Sequence, residues 1–244
     1  MEWSQISKKL SEETKKFEKL AKLTAKDTKQ ENIHKLRVTS RRLRTALTLA
    51  QATDVTLVPK KLRRKLKELQ DVLGEARTLD VAAQDAMEFS LDPEKLNKKR
   101  KRSHKIVQKI LNASDRKKIV KTLVKTTEKI SRLDPQTPIA RLMKIEMSLR
   151  EALEHPPVTE EQRHDLRITM KKARYILEGA GKPPEVMKEL QAVLGRTHDL
   201  EILREIYGDQ QDIIDVEKTE LEKAKPILRP AIQAALDALI KELH

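Results

Sequence analysis

Apolar residues return every three or four positions along almost the whole chain, as in Leu62, Leu66, Leu69 and Leu73. That spacing places them on one face of an α-helix and leaves the rest of the surface to charge. Periodicity and breakers together predict helices over about 4–26, 28–51, 59–73, 75–90, 93–112 and 114–132. They continue over about 136–154, 159–179, 184–194, 196–207, 210–224 and 226–243. Asp92-Pro93, Ser114 and Thr159 (the last followed by Glu160 and Glu161) read as start signals. Gly74 and Gly195 read as the left-handed residues that end a helix. Asp134-Pro135 and Thr137-Pro138 stop any helix, which puts a boundary near Leu133–Pro138. No strand pattern survives, since Asp54–Val58 is short and isolated. The predicted class is all-α.

Two segments of the helical pattern repeat. Residues 34–44 read His-Lys-Leu-Arg-Val-Thr-Ser-Arg-Arg-Leu-Arg, and residues 164–174 read His-Asp-Leu-Arg-Ile-Thr-Met-Lys-Lys-Ala-Arg. Each is followed by a second shared segment, Leu-Gln-Asp-Val-Leu-Gly at 69–74 and Leu-Gln-Ala-Val-Leu-Gly at 190–195. The intervals differ mainly because Gln51–Pro59 replaces the shorter Gly179–Pro184 turn. Two paired motifs in one order imply a duplication, with repeats at 1–133 and 134–244.

Charge narrows the partner. Lys and Arg number 52 against 38 Asp and Glu, a net charge of +14 that calls for an anionic ligand. Five aromatics (Trp3, Phe17, Phe89, Tyr175, Tyr207) leave almost nothing on which nucleobases could stack. The absence of cysteine excludes disulfides and thiolate metal sites. Neither a signal peptide nor a membrane-length apolar run is visible, so a soluble, cytoplasmic protein is expected.

On a helical wheel Arg37, Arg41 and Arg44 fall within about 80° of His34, beside the apolar arc of Ile33, Leu36, Leu43 and Leu47. His164, Arg167, Lys171 and Arg174 form the matching stripe, beside Leu166, Ala173 and Leu177; Tyr175 lies close enough to offer its hydroxyl. Neither stripe shows an acidic partner four residues away, and Asp165 is the only acid inside either motif. Uncompensated like charges at that spacing destabilise a helix, which favours a ligand over a merely solvated face. A histidine among arginines suits phosphate rather than a cation, so no metal and no cofactor are expected.

Further basic residues extend the surface. Lys60, Arg63, Arg64 and Lys67 oppose the leucine face of their helix, and the second copy keeps Lys182 and Lys188. Arg77 and His198 share one position after the Leu-Gly pairs. The run Lys98–Arg102, with His104 and Lys105, reads as solvated.

These motifs resemble the conserved-histidine α-helical domain, the CHAD family, over nearly the whole chain. The first copy matches at His34, Arg37, Arg41, Arg42 and Arg44, then Leu73, Gly74, Arg77, Asp80 and Val81. The second matches at His164, Arg167, Lys171, Lys172 and Arg174, then Leu194, Gly195, His198, Asp199, Glu201 and Ile202. Thr78 and His198 depart from the usual Asp and Arg. The resemblance implies two tandem helical bundles flanking a basic cleft, and binding of inorganic polyphosphate. No Glu-x-Glu-x-Lys signature of a fused triphosphate-tunnel domain is present, so the domain is expected to stand alone.

The expected function is non-catalytic binding of polyphosphate, with nucleic-acid binding and then phosphate-ester processing as alternatives. Hydrolysis needs a metal-binding carboxylate cluster or an activated nucleophile, and the stripes carry neither. Association with polyphosphate granules is the matching location. The first half, richer in arginine, is expected to dominate the grip.

Overall fold

The structure, a computed structural model, describes residues 3–54, 56–133, 139–180 and 183–243. It divides into two compact units, one ending and the other beginning among residues 134–138. Those residues, on which the expected boundary falls, lie outside the described ones, as does Lys182. Among the described residues there are nine helices and no strands, which agrees with the all-α reading. None of the helices is long and apolar enough to cross a membrane.

The first unit holds α1 (Trp3–Lys26), α2 (Gln30–Thr53), α3 (Lys60–Glu88), α4 (Glu94–Ile110) and α5 (Ala113–Ile130). Leucine spacing makes the core: Leu62, Leu66, Leu69 and Leu73 of α3 are buried with Leu36, Leu43 and Leu47 of α2 and Leu10 and Phe17 of α1. α2 packs between α1 and α3, and α4 and α5 close the ring by packing on both α1 and α3.

The second unit holds α6 (Ile139–Glu154), α7 (Glu160–Ala180), α8 (Glu185–Tyr207) and α9 (Gln211–Leu243). Here α7 packs between α6 and α8, and α9 alone closes the ring. In both units the His-Arg helix therefore lies against the helix that carries the Leu-Gly segment.

The start signals hold in part. Thr159 accepts from the Gln162 amide at 3.2 Å while Gln162 Oε1 accepts from the Thr159 amide at 3.1 Å, a reciprocal capping box. Asp92 accepts from the Glu94 amide at 2.9 Å. The cap of α5 is Asn112, which accepts from the Asp115 amide at 2.9 Å, and not Ser114.

Three predicted breaks do not occur. Gly74 lies inside α3 and Gly195 inside α8; among the described residues the glycine with a left-handed φ, 83°, is Gly208, which follows α8. Glycine costs a helix interior only about 1 kcal/mol, and the buried stripe runs through both sites from Leu73 to Ala76 and from Leu194 to Thr197. Pro226 and Pro230 likewise lie within α9. Both are exposed, while Ala231, Ile232, Ala235 and Leu236 continue the buried face beyond them.

Candidate anion-binding site

The site is best seen as two helix pairs, α2 with α3 and α7 with α8. In the first pair the chains run antiparallel. His34 reaches solvent, yet partial desolvation of its ring, with the charges of Arg77 on α3 and Arg37 on α2, pushes its pKa below the ordinary value. A Cβ on Gly74 would sit 3.9 Å from Arg37 Nε, so the glycine marks where α3 passes beside the stripe. Arg44 donates to Gln70 across the same interface. Burial pulls the Arg44 pKa down, Asp71 opposes this, and Arg41 adds to it.

Beyond Arg44 the two helices open into a groove of about 880 Å³. Its walls carry six cations, Arg44, Lys60, Lys61, Arg63, Arg64 and Lys67, with Leu47 and Leu66 at the base and no carboxylate in the lining. Glu68 approaches Arg64 at 3.4 Å from outside. Lys60, Arg63 and Lys67 thus join the stripe, as their positions on the wheel suggested.

Arg42 behaves differently from its neighbours. Its Nη1 lies 3.7 Å from Glu13 Oε1, a carboxylate buried on α1 and also reached by Lys16 at 3.3 Å. Glu13 sits on the apolar face of α1 beside Leu10, Thr14 and Phe17, an anomaly visible in the sequence as an acid where a hydrophobe fits. Arg42 serves the α1–α2 seam.

The second pair is smaller and more compensated. His164 and His198 meet edge to face with ring centroids 5.4 Å apart. His198 Nδ1 lies 3.2 Å from Glu201 Oε2, and Arg163, Arg167, Leu194 and Thr197 also line this small pocket. Burial, Arg167 and His198 lower the His164 pKa against the opposing charges of Asp165 and Glu201. The buried Gln191 amide ties the pair by donating to the Met170 carbonyl at 2.9 Å.

Arg174 has an acid four residues on after all: its Nε lies 3.4 Å from Glu178 Oε1. The expectation that neither stripe has such a partner fails because Glu178 lies just beyond the repeated motif. Tyr175 is buried, and its ring face carries the Arg174 guanidinium at 5.0 Å. Lys171 is half-buried on the same helix, and Lys188 pairs with Glu185 at 2.7 Å.

One constellation lies outside the two stripes. Asp80, 1% exposed, accepts from Arg100 Nε at 3.1 Å and Nη2 at 3.0 Å, with His104 Nε2 at 3.1 Å. Arg100 and His104 stand four apart on α4, inside the run expected to be solvated. They instead fasten α4 to α3, and the signal was their phase on the side of Leu96, Ser103 and Val107. Among the described residues no group of three or more His, Asp or Glu side chains is arranged to hold a metal ion.

Comparison with known proteins places this geometry. A family model for the CHAD domain matches residues 8–208. The crystal structure of the CHAD domain from the plant Ricinus communis superposes with a TM-score of 0.64 at 20% identity, covering 97% of this chain and 91% of that one. PptA from Streptomyces chartreusis superposes with a TM-score of 0.61 at 13% identity, covering 98% and 99%. At such identities the likeness is one of fold. No curated protein matches the chain.

Proposed function

The chain belongs to the CHAD domain family, and from that premise we propose that it binds inorganic polyphosphate without altering it. The observation that carries this reading is the α2–α3 groove, where six cations converge with no carboxylate in the lining. Polyphosphate offers closely spaced anionic oxygens on every side and no base to read. Flexible lysines and forked guanidinia match that chemistry through charge-assisted hydrogen bonds.

The sites Arg37, Arg41, Arg44, Lys60, Arg63, Lys67 and Arg77 form the principal contact set around His34 in this reading. His164, Arg167, Lys171, Arg174 and His198 form a secondary set, weakened by Glu178 and Glu201 at hand. Nucleic acid is the competing ligand on charge alone. With five aromatics in 244 residues the chain lacks the stacking surface that single strands use.

Titration with long-chain polyphosphate and with RNA of equal total charge, each at two salt concentrations, tests the proposal. Polyphosphate should bind more tightly at both, with affinity falling steeply as salt rises through counterion release. Equal or tighter RNA binding defeats it. Phosphate release measured with and without magnesium tests the non-catalytic half of the claim. Co-localisation with polyphosphate granules in cells is the corresponding physiological observation.

A further inference from the structure

Most of the net charge of this protein lies on helices that do not line the groove. α4 and α5 carry fourteen Lys and Arg against three acids, Glu94, Asp115 and Glu128, a net of +11 in a chain whose total is +14. α9, which closes the other ring, holds five Lys and Arg against seven acids. Its exposed cations sit beside acids in the manner of an ordinary wet helix face, as in Lys223–Glu220 at 2.7 Å and Lys218–Asp215 at 3.9 Å. The two closing elements thus do the same packing job with opposite charge.

On α5 the excess is ordered. Lys117, Lys121, Lys125 and Lys129 are all exposed and follow one another at four-residue intervals, opposite the buried Ile119, Leu123 and Ile130. At a rise of 1.5 Å per residue they form a ladder with rungs about 6 Å apart. Like charges at this spacing weaken a helix by a few tenths of a kcal/mol per pair, so the ladder opposes folding rather than aiding it.

The ladder also starts and ends close to the groove. Lys65, on the α3 segment that supplies most of the groove wall, lies 3.2 Å from Asp115 in the first turn of α5. At the far end Asp54, which follows α2, is held low by its Thr56 hydrogen bonds with an added contribution from the charge of Lys129. α5 therefore spans the end of the unit where α2 finishes and α3 begins, the end onto which the groove opens.

We infer that the Lys117–Lys129 ladder of α5 is a second polyphosphate-binding track, which long chains reach after filling the α2–α3 groove and short chains do not. This rests on the proposed ligand of the groove, and it makes affinity depend on chain length. An anionic membrane fits less well, because the apolar face of α5 is already buried in its own bundle.

The test compares chains of about ten phosphates with chains of several hundred, on the intact protein, on K117Q/K121Q/K125Q/K129Q, and on the groove variant R63Q/K67Q. The ladder variant should bind short chains like the parent and long chains about tenfold more weakly. Its salt slope for long chains should fall by about 3, at roughly 0.7 per lost contact as for single-stranded polyanions. The groove variant should lose affinity for both lengths. The ladder variant's thermal unfolding should occur no lower than the parent's, and K121Q/K125Q should give an intermediate loss of long-chain affinity. Unchanged long-chain affinity in the ladder variant overturns the inference. A groove variant that binds short chains like the parent instead overturns the proposed site of the first contact.

Discussion

His164 meets His198 edge to face at 5.4 Å, at the position where the first helix pair sets His34 against the permanent charge of Arg77. The two halves therefore set different groups beside the motif histidine, a second imidazole in one and a guanidinium in the other.

His34 and His164 both have pKa values depressed by burial and by neighbouring cations. In the free protein the unfolded chain then binds more protons just below pH 6.5, so stability falls as pH drops through that window and levels off below the folded values. A bound polyanion reverses the bias and favours the charged imidazoles. Polyphosphate affinity should rise on acidification from about pH 7.5 to 5.5, with proton uptake on binding. Calorimetry in buffers of different ionisation heat near pH 6 should record that uptake, and H34A/H164A should abolish most of it.

The asymmetry of the two pairs predicts unequal losses. R37A/R41A should weaken polyphosphate binding by at least tenfold, since charge-assisted hydrogen bonds contribute about 1.5–3 kcal/mol each before solvent screening. R167A/K171A, on the pair with Glu178 and Glu201 beside the stripe, should cost only a few-fold. All four together should remove most binding while circular dichroism reports unchanged helix content. A collapse of helix content would mean that the stripes hold the fold.

Gly74 and Gly195 offer a sign test of their place inside helices. Replacement of either by Ala should raise stability by up to about 1 kcal/mol, because neither φ is left-handed and the nearest non-neighbour contact is 3.9 Å or farther. Had they ended helices in the left-handed region, Ala would have destabilised instead. Thermal unfolding of the two variants reads the sign directly.

Asp80 is the charged residue whose loss should cost most. Asp80→Ala leaves Arg100 and His104 without their buried acceptor and should destabilise by about 2–3 kcal/mol in urea unfolding. Glu185→Ala, which breaks a pair on the surface, should cost less than about 1 kcal/mol.

Much of this was legible in the chain because the information is local. The His-Arg motif helices, the Leu-Gly segments that follow them and the apolar stripes all follow from spacings of three and four, which bring side chains onto one helix face regardless of the rest of the fold. Lys60, Arg63 and Lys67 could be assigned to a basic face for the same reason. The continuity of α3 through Gly74 was not legible, because propensity argues for a break of about 1 kcal/mol and only burial on both sides overrules it.

By itself, then, the sequence determined which cations stand in line and that their partner is an anion without bases to read. Tertiary structure decided what else those cations meet: Arg42 was turned toward buried Glu13, Arg100 toward buried Asp80, and Arg174 onto the ring of Tyr175. A buried carboxylate must be compensated by whichever cation the packing brings near, and that proximity is a property of the fold, since Arg42 and Glu13 belong to different helices and share no helical register.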